Sequence, residues 1–262
     1  VSKAQTEITC STDEGVGLGL KWQVQVGLQK SAILSSHTTK YLVPTITGLS
    51  GAATNGAGTT TRGGISLVIA GTNLGPAQHT DITATYGPAA TPDKYTTSDC
   101  VADSQDEITC QTIAGVGSDL RWSITVGSQA SVVFTSESTR YVVPTMSGLS
   151  GAATAPEGTV TTGGSEIVIS GDFFGPTGID SDIVVRYGPD SDPDQYTASG
   201  CTVSVNQTQI TCNTAAGVGA DLKWQVTVGL QDSVILSSPT TRYTEPSITG
   251  LSGDAMNESG TT

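Results

Sequence analysis

The residues of this chain whose types could do chemistry are five cysteines, two clusters of aspartates, two histidines and three glycine-rich loops. Cys10, Cys100, Cys110, Cys201 and Cys212 are an odd number, so a spare thiol, a bond to another chain or a missing partner must account for one. No CxxC pair or Cys/His cluster occurs, which removes the ligand spacing of a zinc site. Asp180 and Asp182 in DSD, with Asp190, Asp192 and Asp194 in DSDPD, are oxygen donors suited to calcium. Their loops flank one expected strand and so lie at its opposite ends, and neither EF-hand spacing nor the bidentate glutamate is present. The corresponding loops one repeat earlier carry only Asp81 and Asp93, so solvated acidic loops are the favoured reading and calcium the alternative.

GVGLGL, GVGSDL and GVGADL resemble phosphate-binding loops, but each leads into a Trp-containing strand rather than a helix whose N-terminus could hold an anion. They read as turns between strands. His37 and His79 have no counterparts elsewhere: Glu137 holds the first equivalent position and the second lies in a variable loop. A solvated loop histidine is the reading of each, and no active site is expected.

The elements that would position these groups emerge from an internal repeat. ITC ends at Cys10, Cys110 and Cys212, and Trp22, Trp122 and Trp224 each follow 12 residues later. Tyr41, Tyr141 and Tyr243 come 19 residues beyond, and Pro44, Pro144 and Pro246 open PTITGLSGAAT, PTMSGLSGAAT and PSITGLSGDAM. The extra residues of the later period fall before Tyr187 and between Cys201 and Cys212, in loops. The chain therefore divides into the back part of one repeat (1–43), two whole repeats (44–143 and 144–245) and the first strand of another (246–262). Cys100 with Cys110 and Cys201 with Cys212 are the candidate pair of each whole repeat. Cys10 matches Cys110 and Cys212, so its partner is expected about ten residues upstream of Val1, with an intermolecular bond or a free thiol as alternatives.

Apolar residues alternate within each repeat, as in half-buried strands. Ile167 with Ile169, Ile183 with Val185 and Tyr187, and Trp122 with Ile124 and Val126 are each expected on one face, as are Val132 with Phe134 and Tyr141 with Val143. Gly and Pro clusters interrupt these runs every 8–15 residues, and no stretch offers a helical stripe. About seven strands in about 100 residues specify an all-β fold of tandem sandwiches.

The order TRGGISLVIAGTNLG, ATYGP, ITCQT, and again TTGGSEIVISGDFFG, VVRYGP, ITCNT, resembles the IPT/TIG domain, an immunoglobulin-like sandwich of the early-set type. The resemblance covers both whole repeats and the matching pieces of the partial ones. The family's proline after the I-x-C strand is absent here. The resemblance implies a sandwich stapled by a disulfide, and it implies either extracellular tandem arrays or, in some transcription factors, DNA binding.

Eleven Lys and Arg against 24 Asp and Glu give a net charge of −13, which opposes DNA and RNA, since cationic neutralisation of phosphate supplies most of that affinity. No apolar stretch reaches the roughly 18–20 residues of a membrane span, and no signal peptide is present; Val1 in place of Met suggests processing or a piece of a longer chain. Asn206 and Asn257 head N-glycosylation sequons, and Thr59, Thr60, Thr61, Thr159, Thr161 and Thr162 are O-glycan candidates in recurring clusters. YLVPT, YVVPT and YTEPS pass from one repeat to the next without a Gly/Ser linker, so the joint is expected to be short and stiff. These features favour a non-enzymatic, disulfide-bonded, glycosylated stalk or filament whose partners are further copies of the repeat in cis or in a fibre. The alternative is an adhesin or receptor ectodomain that binds protein or carbohydrate through its acidic loops, and an accessory array attached to an enzyme is a third reading. No cofactor is expected other than covalent glycans.

Overall fold

The computed structural model describes residues 6–252. The chain forms two compact units, residues 1–143 with 228–231 and residues 144–227 with 232–262. Every element of regular structure described is a strand or a single 3₁₀ turn, and no helix among the described residues is long and apolar enough to cross a membrane.

In the first unit, residues 20–39 form β1 (Leu20–Trp22), β2 (Gln25–Val26), β3 (Gln29–Lys30) and β4 (Leu34–Thr39). The sandwich that follows contains β5 (Thr45–Ser50), β6 (Ser66–Thr72), β7 (Ile82–Gly87), β8 (Tyr95–Thr96) and β9 (Ser98–Ser104). It is completed by β10 (Glu107–Gln111), β11 (Leu120–Val126), β12 (Gln129–Ala130) and β13 (Phe134–Thr139). One sheet runs β5-β6-β10-β9; the other runs β12-β11-β7-β8 with β13 also on β11. The seven longer strands match the expected number, and two-residue β8 and β12 extend one sheet.

Alternation explains the packing. Leu67 and Ile69 of β6 pair in register with Cys110 and Ile108 of β10, and Tyr86 and Ala84 of β7 with Trp122 and Ile124 of β11. These two inward faces, all essentially fully buried, form the core between the sheets. Val132 departs from the expected pattern, being 82 % exposed. The chain has already left the ladder there: the Ser131 hydroxyl accepts from Ile124 N at 3.0 Å and donates to Val132 O, closing the ladder with a side chain. Val143, past the last strand, is likewise exposed. Gly71, the penultimate residue of β6, lies so close to β5 that a Cβ would stand 2.0 Å from Thr45 O.

The second unit repeats this plan. Its strands are β14 (Thr145–Ser150), β15 (Glu166–Asp172), β16 (Ile183–Gly188), β17 (Tyr196–Thr197) and β18 (Ser199–Val205). They continue as β19 (Gln209–Asn213), β20 (Leu222–Val228), β21 (Gln231–Asp232) and β22 (Leu236–Thr241), in sheets β14-β15-β19-β18 and β17-β16-β20-β21 with β22 on β20; the turn from β20 to β21, residues 228–231, belongs to the first compact unit. The pairs Trp22–Leu34, Trp122–Phe134 and Trp224–Leu236 occupy one register in the three copies. Trp122 and Trp224 are fully buried, whereas Trp22 is 40 % exposed, because among the described residues no second sheet faces β1 and β4.

Each disulfide joins neighbouring strands of a single sheet, Cys100 of β9 to Cys110 of β10 and Cys201 of β18 to Cys212 of β19. The staple therefore fixes a hairpin rather than clamping the two sheets together. Cys110 and Cys212 sit at the core face, so the bond also fills core volume. Replacing Cys100 and Cys110 together by Ala should lower the unfolding free energy by about 2–3 kcal/mol, the loop-closure value for so short a loop. Urea unfolding at constant m-value measures it, and the variant should retain the β-sheet circular dichroism of the parent.

Candidate functional site

The best-organised polar constellation of each unit is a buried tyrosine cluster at the end where the chain leaves the sandwich. In the first unit the Tyr86 and Tyr141 hydroxyls lie 2.7 Å apart. Tyr141 Oη donates to Ile113 O at 2.6 Å, and Tyr86 Oη accepts from Ile113 N at 3.0 Å. Tyr86 stacks on Trp122 with centroids 4.1 Å apart, and Trp122 Nε1 donates to Thr139 Oγ1 at 3.0 Å. Tyr95 adds a third ring, its hydroxyl donating to Val116 O and accepting from Val116 N. The second unit has the same geometry in Tyr187, Tyr243, Trp224 and Thr241. Burial pushes the phenols of Tyr86, Tyr141, Tyr187 and Tyr243 above their ordinary value of 10.0, so they stay neutral and act as hydrogen-bonding struts rather than as acids or bases.

Past the other end of β11, where Val126 pairs with Ile82, the first unit shows a built joint between residues 14–44 and the sandwich that follows. Gln129 Nε2 donates to Tyr41 O at 3.1 Å, although 88 residues separate them, and Asn73 Nδ2 donates to Val43 O at 3.2 Å. Gly127, at φ +53°, approaches so closely that a Cβ there would lie 2.7 Å from both Gly17 N and Val16 Cγ2. Gln129 is buried, and Tyr41 N donates to Gly17 O at 2.9 Å, so the peptide groups of the joint satisfy one another. Neither Gln129 nor Gly127 stood out as a chemical group. Their signal was the recurrence of VGLQ, VGSQ and VGLQ at Gln29, Gln129 and Gln231, hidden because glutamine in a hairpin turn looks like ordinary solvated surface.

The other expected sites are scattered. Cys10 is exposed and unbonded. Asp180 and Asp182 form a 3₁₀ turn before β16, and Asp190, Asp192 and Asp194 follow it, exposed, so the six residues of the strand hold the clusters roughly 20 Å apart. Asp190 pairs with Lys223 instead. No group of three or more His, Cys, Asp or Glu among the described residues could share a metal ion. His37 is exposed on β4, while His79 lies half-buried in the loop before β7. The glycine-rich loops are turns that lead directly into β1, β11 and β20.

Several O-glycan candidates require correction. Thr59, Thr61 and Thr159 are buried, which leaves a glycosyltransferase no access. The chain at Thr59 pairs with the segment after β13, Thr59 N donating to Arg140 O and Val142 N to Thr59 O, and this draws the hydroxyls inward. Thr60 is half-buried, and Thr161 and Thr162 are exposed. Asn206 is exposed at the β18–β19 turn, its Oδ1 accepting from Thr177 N at 2.8 Å. Asn257 lies outside the described residues.

No family model and no curated protein sequence matches the chain. Among solved structures it is similar to the plexin A4 extracellular region (21 % identity, 76 % of this chain and 18 % of that one, TM-score 0.30). It is also similar to the surface glycan-binding protein PbSGBP-B of Prevotella bryantii (15 %, 73 % and 41 %, TM-score 0.43) and to SGBP-B of Bacteroides uniformis (15 %, 78 % and 50 %, TM-score 0.29). The chain spans half or less of the length of each of these three proteins.

The buried phenols yield a pH prediction. Their folded pKa lies above the unfolded value, so their contribution to stability is complete below pH 10 and is lost as pH rises beyond it. In a spectrophotometric titration, Tyr86, Tyr141, Tyr187 and Tyr243 should ionise only together with alkaline unfolding. Ionisation of all tyrosines near pH 10 with the sandwich intact would contradict this.

Proposed function

We propose that the chain is a non-enzymatic, structural segment of an extracellular array of IPT/TIG-like sandwiches. One observation carries the reading: the two whole repeats share their buried chemistry, the Tyr–Tyr–Trp cluster and the hairpin disulfide, residue for residue, while the loops that differ bring no reactive or metal-binding group together among the described residues. A protein selected for one ligand would be expected to specialise a loop, whereas a spacer needs equal modules. Residues 1–43 are then the back part of a sandwich, 44–143 and 144–245 two whole ones, and 246–262 the opening of another. The solvent-exposed faces of β1 and β2 support that division, since Trp22 and Val26 are uncovered where Trp122 and Val126 are buried.

Two disulfides in sandwiches of ordinary size support an oxidising, extracellular location. In this reading Cys10 bonds a cysteine about ten residues upstream of Val1, as Cys110 does Cys100. Glycans occupy Asn206 and Asn257, with Thr161 and Thr162 as the accessible O-linked positions. The mass of the native chain tests the proposal: it should far exceed 26.6 kDa and fall on deglycosylation, with Asn206→Gln removing one N-glycan. A native mass of 26.6 kDa that enzymatic deglycosylation leaves unchanged would overturn both the array and its coat.

A further inference from the structure

We propose that the open end of the second unit, built from Thr161, Val218, Gly219, Ala220 and Tyr243, is the docking face for a further copy of the repeat, the one that Pro246 opens, and that it receives the glycine–glutamine turn of that copy. The inference rests on the array reading, which it deepens by naming the contact that joins the modules.

The first unit supplies the template. There Gly17 is buried beneath the turn that carries Gly127 and Gln129, and the cleft beside Val16 and Tyr41 measures only about 170 Å³. Residues 228–231, which belong to the same unit, provide a second instance. A Cβ on Gly229 would stand 2.6 Å from Gly117 N, Gln231 Nε2 donates to Tyr141 O at 3.1 Å, and Val116 is 2 % exposed. In both, a glycine at positive φ sits against a Val-Gly pair and the glutamine two residues on reaches the carbonyl of the tyrosine.

The second unit presents the receiving half of this contact unfilled. Val218 is 66 % exposed, and a Cβ on Gly219 would meet nothing within 4 Å except Leu222, the first residue of β20. A cleft of about 530 Å³ opens between Val218, Tyr243 and Pro246. Thr161 is exposed where Thr61, its counterpart in the first unit, is fully buried. An apolar valine and a bare glycine backbone are poor recognition groups for a sugar or an ion but suit the close backbone approach of a glycine turn. The occupant follows from the chain itself: PSITGLS repeats the PTITGLS that leads, in the first unit, into the sandwich whose turn closes the first joint. Because donor turn and acceptor face are different surfaces, such a contact propagates head to tail rather than closing a dimer.

Thiol labelling tests the proposal. Val218→Cys would be placed on a Cys10→Ser background, both in the 262-residue chain and in a chain whose residues 246–262 are replaced by a copy of residues 144–245, with Val132→Cys as the exposed reference. Maleimide modification of V218C should slow by about tenfold or more in the extended chain while V132C labels equally in both. Changing the added copy's equivalents of Gly229 and Gln231 to Asp and Ala should restore the fast rate. Equal rates at V218C in the two chains would overturn the proposal. So would a slow rate in the unextended chain that depends on its concentration, which assigns the face to a second molecule. Ala220→Cys gives an independent probe should V218C disturb the loop. Because the added copy is engineered, a negative result here counts against the docking face, whereas a short native chain would count against the array.

Discussion

Tyr141 follows the last strand of its sandwich and turns its ring back into the core, where its hydroxyl meets that of Tyr86 at 2.7 Å and the carbonyl of Ile113 at 2.6 Å. Three separate segments are pinned by that one phenol: strand β7, the glycine-rich loop after β10, and the exit of the chain toward Pro144. A buried hydroxyl left without a partner costs on the order of 1–3 kcal/mol, so the cluster is held in one arrangement rather than several. The backbone of the same tyrosine then does a second task. The equivalent Tyr41 offers its carbonyl to Gln129, so the backbone of this tyrosine position also takes part in the joint of the first unit.

The stiffness expected from the proline at each junction is thus only part of the joint. Proline restricts the residue before it, but it cannot fix the orientation of a following sandwich. In the first unit that is done by the Gln129 side chain and by the near contact of Gly127 with Gly17, both distant in sequence from Pro44. The disulfides act on a different level. By tying β9 to β10 and β18 to β19 they stiffen hairpins inside one sheet, and they leave the packing of sheet on sheet to Trp122, Trp224 and their aliphatic neighbours.

Much of this architecture could be read from residue order because β-sandwiches write their burial directly into alternation. Ile167 and Ile169, or Trp122, Ile124 and Val126, needed only a period of two to be placed in the core. Val132 escapes the pattern because alternation presumes that the ladder continues, whereas residues 131–133 lie between β12 and β13, where the Ser131 hydroxyl bonds Ile124 N. The threonines at 59, 61 and 159 deceived for the opposite reason: composition marks Thr-rich loops as surface, yet backbone pairing with the segment after the last strand draws them inside. The joint glutamines were least visible. The bond of Gln129 spans 88 residues and that of Gln231 spans 90, and no local pattern distinguishes a glutamine that will be buried from one that stays in water.

The measurement that bears most directly on the tyrosine pair is a double-mutant cycle with Tyr86→Phe, Tyr141→Phe and the double variant, read by urea unfolding. If the two hydroxyls hold the exit of the chain, the single losses should fail to add, with a coupling energy on the order of 1 kcal/mol or more. Two losses that add to within about 0.3 kcal/mol would mean that each phenol is held by the Ile113 peptide alone, and the pair would not be the strut on which the module's end depends.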